Sequence, residues 1–93
     1  MSRSNMTRDE ALARAQSLVS SERAEQYGSA EENFTRVARL WSAAFGWEVT
    51  LADVPLAIDL LKTARLISNP HHLDSWVDKA GYAALGAELY SEE

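Results

Sequence analysis

At three points where an apolar stripe of helical spacing begins, a hydroxyl residue is followed three positions later by an acid. The three runs are Thr7-Arg8-Asp9-Glu10, Ser29-Ala30-Glu31-Glu32 and Thr50-Leu51-Ala52-Asp53. In such a run the hydroxyl and the acid each satisfy a backbone N–H of the other residue, which marks a helix start. Behind the first lie Ala11, Leu12, Ala15, Leu18 and Val19, one face of a first helix whose end near residues 20–22 is diffuse. Behind the second, Phe34, Val37, Ala38, Trp41, Ala44 and Phe45 share a face, and Gly46 is placed to stop the helix in a left-handed conformation. Val54, Ala57, Ile58, Leu61 and Ala64 form the expected buried stripe of a third helix reaching about Ser68. Pro55 fits its first turn if Asp53 is the cap and fits poorly if Thr50 is.

Asn69-Pro70 ends the third helix, because a residue before proline avoids the α region. A fourth helix then runs from His71 or His72 to about Tyr90. Leu73, Trp76, Val77, Ala80, Ala84 and Ala87 make its main stripe, while Tyr82, Leu85 and Leu89 are apolar on another side. A helix apolar on more than one side is central or lies at a subunit interface. Its small residues would let another helix approach closely. No segment alternates as a strand does, and no repeat or low-complexity stretch interrupts the pattern. The expected fold class is all-α: a compact bundle of about four helices, one domain over residues 1–93 with 1–6 disordered. A chain of 93 residues buries a modest core, so a homo-oligomer joined through the last helix is expected.

Composition narrows the partners. A net charge of −5 argues against DNA, RNA or an anionic membrane, all of which require surplus Lys and Arg. With no cysteine there is no disulfide or thiolate metal site, and no apolar run nears the roughly 20 residues of a membrane span. The polar first residues lack a signal-peptide core, so the expected location is the cytoplasm. No Walker loop, dinucleotide glycine fingerprint, nucleophile triad or zinc signature is present.

Several residues can carry chemistry, each with a plainer reading beside it. Asp74 and Asp78, four apart, project from one helix face, and with Glu31 or Glu32 they offer oxygen ligands to a divalent cation. Equally, acids in a first turn favour the positive helix end. Lys62 and Arg65 flank an apolar stripe and suit a phosphate; alternatively Lys62 snorkels and pairs with Asp59. Tyr27-Gly28-Ser29 precedes a helix start, where free N–H groups attract anions. Tyr27 there either stacks on a base or simply packs. Arg23 and Arg36 are further phosphate ligands in principle. His71 and His72 point in different directions and are read as helix-start residues, Trp41 and Trp76 as core, and Trp47 as exposed.

The run Glu22-Arg23, Tyr27-Gly28-Ser29-Ala30-Glu31-Glu32-Asn33-Phe34 with Trp41 downstream resembles a small helical family of phages and prophages whose function is unknown. So do Leu60-Leu61-Lys62-Thr63-Ala64-Arg65 and His72-Leu73-Asp74-Ser75-Trp76-Val77-Asp78-Lys79-Ala80-Gly81-Tyr82. The likeness spans about Ala11 to Leu89, with Pro55 a departure. That family is in turn distantly similar to the all-α nucleotide pyrophosphohydrolases of the MazG type. These are oligomeric bundles that hold magnesium through E-E-x-x-E and a later E-x-x-D. Here the first motif reads Glu31-Glu32-Asn33-Phe34-Thr35, without its third acid, and the second is Asp74 to Asp78 at spacing four.

The resemblance therefore implies nucleotide binding more than hydrolysis, since metal carries that reaction. The expected function is a phage-type binding protein, a sponge that sequesters a host antiphage-defence signalling nucleotide in the host cytoplasm without cofactor. Arg23, Tyr27, Asn33, Lys62, Arg65, Asp74 and Asp78 are its expected ligand-binding residues. In the hydrolase alternative Glu32, Asp74 and Asp78 hold Mg; in a second alternative the protein inhibits a host enzyme by direct contact.

Overall fold

The structure, a computed structural model, describes residues 5–20, 25 and 28–91. Among them are four α-helices and no strand: α1 (Arg8–Leu18), α2 (Ala30–Phe45), α3 (Asp53–Ser68) and α4 (Leu73–Leu89). Expectations resting on residues 1–4, 21–24 and 26–27 lie outside the described residues.

All three start signals form. The Thr7 hydroxyl accepts from Glu10 N–H at 3.1 Å, and the Glu10 carboxylate accepts from Thr7 N–H at 3.3 Å. Ser29 and Glu32 repeat this at 3.1 and 3.2 Å. At the third signal the Asp53 carboxylate accepts from Thr50 N–H at 2.9 Å, and Thr50 Oγ1 accepts from Asp53 N–H at 3.4 Å. This box encloses a tight turn whose i to i+3 bonds run Asp53 N–H to Thr50 O and Val54 N–H to Leu51 O. The helix proper then begins at Asp53, with Ala52 as a cap lacking a side-chain bond. Asp53 is thus the first helical residue, not the cap, and Pro55 lies in the first turn where a missing donor costs little.

Gly46, at φ 80°, ends α2 and donates to Ser42 O at 3.0 Å. At the end of α3, Asn69 is extended ahead of Pro70 while its N–H still reaches Arg65 O at 2.9 Å. The turn into α4 is held by Asn69 Oδ1, which accepts from His71 N–H, and by a 2.7 Å hydrogen bond between His72 Nδ1 and the fully buried Ser75 hydroxyl.

α3 and α4, joined by that short turn, make the most extensive helix pair, and α1 packs on α4 on another side. Val19 closes on Gly81, where an added Cβ would lie 3.5 Å from Val19 Cγ1. Phe34, Ala38 and Val54 form a buried cluster, covered by Trp41, Ile58, Tyr82, Leu85 and Leu89. The apolar residues on more than one side of α4 thereby find partners: the helix packs against α3 and α1, and its Tyr82, Leu85 and Leu89 cover the Phe34 cluster of α2 and α3.

Two stripes differ from expectation. On α3 the inward line is Val54, Ile58, Lys62 and Leu66, whereas Leu61 and Ala64 are exposed. On α4 only Val77 of the expected stripe is buried; Ala84 and Ala87 are exposed, and Trp76 is half-exposed with its indole N–H on Pro70 O at 2.9 Å. Trp47 is exposed and stacks on Phe45, ring centroids 5.2 Å apart. Among the described residues no helix is long and apolar enough to cross a membrane.

Candidate functional site

The end of α1, the start of α2 and the second half of α4 enclose an open cleft of about 800 Å³. Local sequence positions each wall. Gly28, at φ 89°, turns the chain into the Ser29 cap, and the helix that follows presents Asn33, Phe34 and Val37 to the cleft. On α4, Asp78, Gly81, Tyr82 and Leu85 recur at three and four residues and so share one face. Ile58 of α3 forms part of the floor. The rings of Phe34 and Tyr82 stand 6.2 Å apart at 32°, an aromatic corner among aliphatic and polar lining residues.

Acids on two walls bring charge to the cleft. Asp78 lines the cleft and pairs with Lys62 of α3 at 3.0 Å. One residue on, Lys79 reaches across in the opposite sense to Asp59 at 3.0 Å and to the Thr63 hydroxyl at 2.6 Å. These two crossed pairs replace the Asp59–Lys62 pair expected within α3. They tie α3 to α4 with no net charge. Glu31 and Glu88 add acids to the lining. Asn33 holds its carbonyl oxygen toward Arg36, whose Nη1 donates at 3.2 Å.

Of the expected ligand-binding residues, Asn33 and Asp78 meet in this cleft, and Lys62 joins them through Asp78. Asp74, exposed in the first turn of α4, and Arg65, exposed in the last turn of α3, do not line it. Arg23 and Tyr27 lie outside the described residues.

The expected magnesium ligands do not come together. Glu32 is held by Ser29, whose backbone N–H and then hydroxyl keep its carboxyl below its ordinary value of 4.5. Asp78 faces Lys62, and among the described residues no group of three or more His, Asp or Glu side chains is placed to hold a metal ion. Tyr82 and Phe34 were not singled out from sequence as site residues. The signal for Tyr82 was its place four residues after Asp78.

A sequence profile described as Domain of unknown function (DUF6378) matches residues 10–90. The chain is 44% identical over 75 residues to the Gene 55 protein of Mycobacterium phage L5, covering 80% of this chain and 48% of that protein. It is 38% identical over 81 residues to the Gene 55 protein of Mycobacterium phage D29, covering 87% of this chain and 54% of that one. The chain thus spans about half the length of these relatives. No solved structure matches it. With its profile match running from the first helix to the end of the fourth, the chain belongs to the DUF6378 family, whose relatives here are phage proteins.

Proposed function

We propose that the chain is a nucleotide-binding protein that takes up its ligand, a signalling nucleotide of host antiphage defence, without hydrolysing it. The observation that carries this reading is the cleft itself. Its volume falls within the range of small-molecule sites, and its lining combines a larger apolar part with polar groups that include Ser29, Asn33 and Asp78. A base lies against Tyr82, which covers the buried Phe34, with Asn33 and Asp78 hydrogen-bonding its edge or the sugar. Glu31 and Glu88 repel phosphate, so the phosphates point outward. Lys62 contributes by exchanging Asp78 for the ligand. Arg23, Tyr27, Arg65 and Asp74 enter the proposal on sequence grounds alone.

Binding is preferred to the MazG-like alternative because Glu32 is tied to Ser29 and Asp78 to Lys62, which leaves the magnesium set apart. The test is to incubate the purified protein with mixed nucleotides and defence signals, with and without magnesium. Heat then releases the bound species for mass spectrometry. Intact recovery of one nucleotide, lost in Asn33→Ala and Tyr82→Ala, is the expected result. A product cleaved only with magnesium would replace this reading with the hydrolase. No bound small molecule, with a stable host-protein complex instead, would replace it with the inhibitor.

A further inference from the structure

We infer that the outward face of α3 is the surface through which two copies of this chain pair about a two-fold axis. Leu56, Leu60, Leu61 and Ile67 are 63, 67, 51 and 80% exposed. With exposed Ala64 they fall within an arc of about 140° on the helix. Together these side chains leave on the order of 500 Å² of apolar surface uncovered, in the upper part of the roughly 300–600 Å² of a monomer's largest patch, which is often functional. A standard interface takes about 800 Å² from each partner. Trp76, half-exposed against the turn that follows α3, adds to the same end of the molecule.

The chemistry of the face selects the occupant. Aliphatic residues without charge are the composition of a homodimer core, whereas transient partners meet on aromatic, arginine-containing and polar surfaces. The chain carries a net charge of −5, which opposes self-association, so pairing is least hindered through a face that brings few acids together. The charges here are Asp53, which falls within the arc at its N-terminal end, and Arg65 on its flank toward the other end. Antiparallel pairing about a two-fold axis brings Asp53 of each copy toward the Arg65 end of the other. It also sets Leu60 of one against Leu60 and Leu61 of the other. The expected contact through α4 has less to offer: Gly81 is already filled by Val19, and Ala83, Ala84 and Ala87 expose only methyl groups.

Sedimentation equilibrium on the protein tests this directly. The wild type should run as two chains that separate on dilution, and Leu60→Glu and Ile67→Glu as one chain with unchanged helical circular dichroism. Because a dimer-dependent fold could collapse in those variants, Leu60→Cys supplies a second readout in a chain that has no other cysteine. A short bismaleimide should link Leu60→Cys into a covalent dimer and leave Leu40→Cys, exposed on α2, unlinked. A wild type that stays one chain at its highest soluble concentration would overturn the inference. So would a two-chain species that persists in Leu60→Glu and is not captured through Leu60→Cys.

Discussion

On α3 the inward line contains a charge and the outward line contains none. Val54, Ile58, Lys62 and Leu66 face the rest of the chain, with the Lys62 side chain only 14% exposed. Leu56, Leu60, Ala64 and Ile67 face away from it. A lysine can sit inward because Asp78 meets it at 3.0 Å, and because its aliphatic stem packs while the ammonium pairs. The outward leucines have no such local explanation within one chain. Polarity therefore separates the two faces of this helix poorly, while a partner separates them well: Asp78 for one face and, in the pairing proposed above, a second copy for the other.

The largest expected effect breaks the inward side. Leu66→Ala empties a buried position and should cost about 2–5 kcal/mol in urea denaturation, at every protein concentration. The same truncation at Leu60 should act through self-association, so its cost should grow as protein concentration rises. Equal, concentration-independent losses at the two positions would erase the distinction between the faces.

Next comes the ion pair. Lys62→Met keeps the packed stem but leaves a half-buried Asp78 carboxylate without its partner, at a cost of about 1–3 kcal/mol. Replacing Asp78 by leucine in the same chain should restore part of that loss, which a double-mutant cycle reads as coupling. Purely additive losses would mean that Lys62 is inward for its stem alone.

How far the sequence exposes this arrangement depends on the range of each interaction. The helix starts were legible because Thr7 with Glu10 and Ser29 with Glu32 complete their bonds within four residues. On α3 Val54 and Ile58 were legible, but the continuation of their line to Leu66 was not, since Lys62 breaks the apolar spacing. The eye passes instead to Leu61 and Ala64. Trp76 was misplaced for a similar reason: nothing local says that Pro70 O accepts its indole N–H at the surface. Asn33 and Asp78 were readable as polar residues on helix faces. Their meeting in one cleft depends on how α2 and α4 pack, which no local pattern records.

A cap offers a smaller perturbation that touches neither face of α3. Ser29→Ala should cost about 1 kcal/mol while leaving self-association unchanged. The acid member of that box adds a pH signature. Glu32's folded pKa is depressed, so its contribution is present above the ordinary value of 4.5 and fades as pH falls through the folded value. Glu32→Gln, which keeps the box without titrating, should show a shallower loss of stability below pH 4.5. An unchanged acid limb would mean that the bond to Ser29 is not maintained in solution.

The smallest expected change is a gain, and it discriminates between α3 and α4 as the self-association surface. Gly86 is helical, with nothing within 4 Å of an added Cβ in the single chain. Gly86→Ala should therefore raise stability by about 0.5–1 kcal/mol through helix propensity. If two copies met instead through the small residues of α4, the new methyl group would stand in a close helix–helix contact and weaken the dimer. A stabilised chain with an unaltered dimerisation constant is the expected result. Weakened association in Gly86→Ala, beside tight association in Leu60→Glu, would move the interface from α3 to α4.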